Sequence, residues 1–92
     1  MKTSQAEALA VQALTWILST DDLASVFMGT TGLSVDNLRV RAGEPEFLAS
    51  VMDFLMMDDA WVTGFCDAAG FAYEDPMRAR QMLPGGDLPN WT

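Results

Sequence analysis

Apolar positions recur along this chain at spacings of three and four, and polar residues break them into six segments. In the first, from about Gln5 to Ser19, one polar stripe carries Gln5, Ala8, Gln12, Thr15 and Ser19, and the rest is mostly apolar. A surface helix needs an apolar stripe only about 100° wide, so this one is expected at the centre of the fold. Ser4 with Glu7 reads as a capping box at its start. A second helix begins at Asp21-Asp22, where acids suit the positive end of the helix dipole, turns Leu23, Val26, Phe27 and Thr30 inward, and stops at Gly32. Ser34 caps a short third helix, Val35 to about Ala42, ended by Gly43.

The fourth helix starts at Pro45, whose missing N–H costs nothing there, and runs to Met57. It is apolar except along Ser50 and Asp53, which makes it the second central helix. Asp58-Asp59 starts the fifth, which is expected to bury Trp61, Val62, Phe65 and Ala69 before Gly70. Asp75-Pro76 caps and opens a sixth that reaches about Leu83, and Pro84-Gly85-Gly86 ends it. No run alternates as a strand would.

These segments nearly repeat at one fixed offset, the step that carries Leu9 onto Phe47. By the same step Ala13, Leu14, Trp16, Ile17 and Leu18 line up with Val51, Met52, Phe54, Leu55 and Met56. Gln12 and Thr15 meet Ser50 and Asp53, while Asp21, Phe27 and Gly32 meet Asp59, Phe65 and Gly70. A fixed period is the mark of one supersecondary unit built twice. The expected fold is therefore all-α: a compact six-helix bundle made of two related three-helix units, each long, medium and short. The repeat runs over about 5–42 and 43–80 within a single domain, 1–86, followed by a short tail, 87–92.

Certain stretches resemble a known family. They are the Ala-Leu and Trp-Ile-Leu of the first helix, Thr31-Gly32-Leu33-Ser34 with Leu38-Arg39, Phe47-Leu48, Val51 with Phe54-Leu55, Ala69-Gly70, and Leu83-Pro84-Gly85-Gly86. Together, over about residues 5–86, they are similar to a family of short bacterial helical proteins catalogued only as a domain of unknown function. The resemblance rests on caps and core positions. It implies a bacterial intracellular protein and no activity, so it assigns no site residue.

Ninety-two residues allow one core, and half of them are hydrophobic. The net charge of −8 opposes binding to nucleic acid or anionic membranes, both of which rely on Lys and Arg. No apolar run reaches the length of about 18 residues needed to span a bilayer, and the amino-terminal segment reads as a helix rather than a signal peptide. A cytoplasmic location is the expectation. Cys66 is the only cysteine, so no disulfide forms within the monomer.

Histidine is absent, which removes Ser–His and Cys–His chemistry and most zinc sites. Cys66 beside Phe65 reads as a small buried residue. Neighbouring acids such as Asp21-Asp22 and Asp58-Asp59 point about 100° apart on a helix and read as caps rather than a metal site. No cofactor, metal or catalytic group is expected, and the chain reads as non-enzymatic.

Four of the five cations form two Arg-x-Arg pairs, Arg39 with Arg41 and Arg78 with Arg80, one in each repeat. Guanidinium forks in equivalent positions would suit an anion or a carboxylate if they converged. The simpler reading has them near helix C-termini, paired with some of the thirteen acids. Met57 falls on the polar stripe of the fourth helix and is the methionine best placed for an exposed contact. Trp91, in a polar tail, either covers its own bundle or docks into a neighbour.

The function expected is a small non-enzymatic cytoplasmic interaction or regulatory module that binds a protein partner or a second copy of itself. Its candidate contacts are Arg39, Arg41, Arg78, Arg80, Met57 and Trp91. Three alternatives remain: an acidic mimic of nucleic acid, a small anion-binding protein, and a DNA-binding helix-turn-helix. The last would span Met28 to Leu38 with Gly32 in its turn, and the acidic charge weighs against it.

Overall fold

Six α-helices carry the chain through the computed structural model, which describes residues 1–84; of Asp21, Val35 and Arg39 it describes the backbone alone. They are α1 (Thr3–Ser19), α2 (Asp21–Thr31), α3 (Val35–Arg41), α4 (Pro45–Leu55), α5 (Asp59–Ala69) and α6 (Asp75–Met82). The fold is all-α, with no strand among the described residues.

Local chemistry sets most of the helix ends where the sequence places them. Ser34 Oγ accepts from the Asn37 N–H at 3.3 Å, and Asp58 Oδ1 accepts from the Ala60 N–H at 2.8 Å. Gly32 and Gly70 take left-handed conformations, φ 70° and 82°, that a Cβ would strain. Each donates its N–H back to the helix it ends, Gly32 to the Met28 carbonyl and Gly70 to the Cys66 carbonyl. Thr20 alone separates α1 from α2; its extended backbone breaks the helix, and its hydroxyl donates to the Trp16 carbonyl.

Three ends differ from expectation. α1 begins before Ser4, because the Gln5 carboxamide accepts from the Lys2 N–H at 2.8 Å and caps an earlier start. α4 stops at Leu55, and the Met57 N–H closes the turn onto the Phe54 carbonyl, freeing Asp58 to cap α5. Asp75 lies inside the first turn of α6 instead of capping it, and its carboxylate accepts from the Ala72 N–H of the preceding turn.

A single hydrophobic cluster draws on all six helices. α1 buries Ala6, Leu9, Ala10, Ala13, Leu14 and Ile17, leaving Gln5, Ala8, Gln12, Thr15 and Ser19 outside, as its stripe predicts. It packs most closely with α4, α6 and α2, and also meets α5. α4 buries every residue from Phe47 to Leu55 except Ser50 and Asp53. On α2, Leu23 and Phe27 point inward, but Val26 and Thr30 face out, since one flank of that short helix is left uncovered. On α5, Cys66 is buried and Ala69 is exposed, because a methyl group at that end does not reach across to α1. The third helices also differ from one another. α6 packs on α1 and α4, whereas α3 joins none of the closest pairings among the described residues and sends Leu38 into the core.

Three edge-to-face aromatic pairs cross the core, one of them Phe27 of α2 with Phe47 of α4 at 6.3 Å; the other two flank grooves. Trp16 of α1 meets Phe65 of α5 with ring centres 6.1 Å apart, and Phe54 of α4 meets Phe27 of α2 at 5.1 Å. Phe27 and Phe65 are completely buried, each contributing roughly 1.5–3 kcal/mol through burial. Beside the Trp16–Phe65 pair lies Gly64, where a Cβ would come within 3.0 Å of Trp16 Cζ2. Its counterpart in the first repeat is Val26, and there the matching ring is the smaller Phe54.

This close approach separates two helical glycines. Around Gly29, in α2, no atom lies within 4 Å of a Cβ, so Gly29→Ala should stabilise by about 0.5–1 kcal/mol through helix propensity. Gly64→Ala should forfeit that gain by pushing on the Trp16 ring. Thermal melts of the two variants check this, and an equal rise in Tm would count against the Trp16 contact.

Candidate functional site

The surface around two of these aromatic pairs is grooved. Between α1 and α5 lies an open apolar groove of about 340 Å³, floored by Trp16 and Phe65 and walled by Val11, Gln12, Ala68 and Ala69 with Thr15. Between α4 and α2 lies a groove of about 320 Å³, floored by Phe27 and Phe54. Thr30, Thr31, Ser50, Asp53 and Met57 wall it. In each, small or short side chains follow the buried phenylalanine: Ala68 and Ala69 after Phe65, Thr30 and Thr31 after Phe27. Val11 stands exposed beside the first groove, and Met57, 72% exposed, stands beside the second.

Charge is partitioned between the helices. α1 carries Glu7 as its only ionic residue, and α5 carries Asp59 and Asp67. α2 holds Asp21 and Asp22, and α4 holds Glu46 and Asp53. None of these four helices contains a lysine or arginine; Lys2 precedes α1, and the arginines lie on α3 and α6.

The arginines are placed in unlike settings. Arg80 Nε donates to Asp53 Oδ1 at 2.7 Å and its Nη2 to Oδ2 at 3.2 Å, a two-point clamp from α6 to α4. Its Nη1 also donates to the Pro84 carbonyl at 3.0 Å, so the side chain, 19% exposed, is committed within the fold. Arg78 reaches outward, 3.9 Å from Asp75, at the rim of a third cavity of about 440 Å³ shared with Met1, Gln5, Leu9 and Phe71. Arg41 ends α3 and is exposed. Arg39 lies on α3, and its side chain is outside the described part of the structure. No described cavity, hydrogen bond or ion pair brings Arg41 together with Arg78 or Arg80. Met57 is exposed as the stripe predicts, while Trp91 lies outside the described residues.

Groups of chemical interest lie apart from the grooves. Cys66 is buried with its thiol 3.4 Å from the Ala72 carbonyl. Burial pushes the thiol above its ordinary pKa, and the charges of Asp75, Asp67 and Glu74 push the same way. Tyr73 donates to Asp67 at 2.7 Å, and that hydrogen bond, reinforced by the carboxylate charge, raises the pKa of the phenol. Among the described residues no three His, Cys, Asp or Glu side chains gather as metal ligands would. No described helix is long and apolar enough to cross a membrane.

Sequence reasoning passes over Val11, Trp16, Ala68 and Ala69 as contact candidates, since each looks like core or filler on its own helix. The signal that marks the grooves is the repeat: Trp16 aligns with Phe54, and Phe65 with Phe27. A family model described as "Protein of unknown function (DUF3572)" matches residues 3–86. Comparison with curated proteins and with solved structures finds no match in either set.

Two outcomes follow from these settings. Arg80→Gln should cost about 1 kcal/mol by breaking the clamp on Asp53, and Arg41→Gln should stay within about 0.5 kcal/mol of the parent; urea melts compare them, and equal losses would contradict the clamp. The Cys66 thiol should react slowly with iodoacetamide in the folded protein at mildly alkaline pH and speed up on denaturation. A native rate matching the denatured one would contradict its burial. Because the folded pKa is raised, the thiol's contribution to stability is complete below its unfolded pKa and is lost as pH climbs through the folded one.

Proposed function

The chain belongs to that family of unknown function, which supplies no activity to inherit, and we propose that it is a non-enzymatic protein-interaction module that seats an amphipathic, basic helical segment of a partner protein. The observation that carries this reading is the groove between α1 and α5. Its floor is the Trp16–Phe65 pair, its walls include Val11, Ala68 and Ala69, and the two helices that form it carry acids alone.

An apolar trough suits the apolar face of a helix, which offers anchors one turn apart. Trp16, half-buried over Phe65, can gain further cover from a bound side chain, and aromatic anchors of this kind dominate binding at interfaces. Charge sets the sign of the occupant at longer range. α1 and α5 carry Glu7, Asp59 and Asp67 and no cation, on a chain of charge −8, so their field favours a basic segment over an acidic one. Arg41, Arg78 and Met57 remain exposed elsewhere as further contacts, whereas Arg80 serves the fold through its clamp on Asp53.

A defined probe tests this without knowledge of the natural partner. An amphipathic helical peptide of leucine and lysine is titrated into isotopically labelled protein at about 0.15 M salt, where the screening length is about 8 Å. Amide signals of residues 11–16 and 65–69 should shift. A leucine–glutamate peptide of the same pattern should leave them unmoved, and Ala68→Arg should weaken binding by about tenfold or more. Equal response to both peptides, or no response at those residues, would overturn the reading.

A further inference from the structure

The cavity that Arg78 borders differs in kind from the two grooves. No ionic side chain lines the α1/α5 groove, and the one acid of the other, Asp53, is held by Arg80. The third cavity is lined by charges of both signs, Asp75 and Arg78, one turn apart on α6. Asp75 is fixed: its Oδ2 accepts from the Ala72 N–H at 3.1 Å, and its side chain is 22% exposed. Arg78 Nη1 stands 3.9 Å from the other oxygen, Oδ1, beyond hydrogen-bond distance. Among the described residues the pair therefore leaves both the guanidinium fork and that oxygen open to a third group.

α1 supplies more of the lining. Gln5, Ala8 and Gln12 share one face of the helix, at spacings of three and four. Gln5 Oε1 already accepts from the Lys2 N–H, which leaves its amide nitrogen to donate. Ala8, between the two carboxamides, has a side chain too short to fill the space. Apolar cover comes from Leu9, which is buried, and from Phe71, which packs on Phe65 with ring centres 5.6 Å apart. The whole encloses about 440 Å³, a size usual for small-ligand sites.

Charge selects the ligand. A bare anion would meet Arg78 but also Asp75, and the field of a chain of charge −8. A bare cation would meet Asp75 but also Arg78. A zwitterion carries both signs and no net charge, so it answers both groups without opposing the field of the chain. An α-amino acid holds its carboxylate and ammonium on one carbon, and so matches two opposite charges that stand 3.9 Å apart.

We propose that this cavity, between α1 and the start of α6, binds a free α-amino acid with a large apolar side chain. Arg78 takes the carboxylate in its guanidinium fork, and Asp75 Oδ1 accepts from the ammonium. Gln5 and Gln12 add hydrogen bonds, and Leu9 and Phe71 cover the side chain. The site shares only Gln12 with the α1/α5 groove, and the proposal does not rest on the interaction reading.

Phenylalanine is the probe, titrated into isotopically labelled protein. Amide signals of residues 5–9 and 71–78 should shift to saturation. Hydrocinnamate lacks the ammonium, phenethylamine lacks the carboxylate and glycine lacks the side chain; each should bind at least about tenfold more weakly. Arg78→Gln should cost a similar factor, and the side chain is 61% exposed, so the fold survives its loss. Asp75→Asn keeps an oxygen for the Ala72 N–H and removes the charge, so it should erase the preference for phenylalanine over hydrocinnamate. Equal binding of all four compounds, unchanged affinity in Arg78→Gln, or no saturable shift at about 10 mM phenylalanine would overturn the proposal. The leucine–lysine peptide is read at residues 11–16 and 65–69, so either reading can fail alone.

Discussion

α1 has four neighbours, and that crowding governs the rest of the bundle. A helix touched by α4, α6, α2 and α5 has little circumference left for solvent. It meets the demand with small residues: Ala6, Ala10 and Ala13 are completely buried, spaced so that they share a face. Alanine keeps the helix narrow, and Leu9, Leu14 and Ile17 fill the spaces between its neighbours. α4 solves a different problem with the opposite choice. It packs most closely on α1 and α6 and fills the volume with Phe47, Leu48, Met52, Phe54 and Leu55.

The grooves are a consequence of that packing. Phe27 of α2 packs edge-on against Phe47 and Phe54 of α4, and Phe65 of α5 against Trp16 of α1. Gly64 shows how tightly the second contact is drawn, since the indole of Trp16 occupies space that a methyl group would need. A groove lies beside each of these contacts. The basic residues are confined to Lys2 and the third helices, where Arg80 braces α6 against Asp53.

Much of the fold is legible from local chemistry. Ser34, Asp58, Pro45, Gly32 and Gly70 mark helix ends through interactions within a few residues, and those ends fall where the residues lie. The polar stripes of α1 and α4 identify their outer faces for the same reason: periodicity is a property of the segment alone. Reading fails where the answer depends on what lies opposite. Val26 and Ala69 are apolar and fit the inward spacing, yet stay exposed, Ala69 at the edge of the α1/α5 groove. Ser4 looks like a cap, but Gln5 reaches back to Lys2 and starts the helix earlier.

The candidate site divides along the same line. Order along the chain was enough to establish the six helices, the acidic balance, the exposure of Met57 and the recurrence of Trp16 as Phe54 and of Phe27 as Phe65, because each follows from residue type and spacing. Which arginine pairs within its own helix and which reaches a distant acid did not follow: Arg78 stays beside Asp75, and the packing of α6 onto α4 commits Arg80 to Asp53. Nor could spacing say that Trp16 would meet Phe65 or that Phe54 would meet Phe27. Contacts between residues far apart in the chain are chosen by the shape of the assembled core, and the grooves that those contacts leave behind come into being with it.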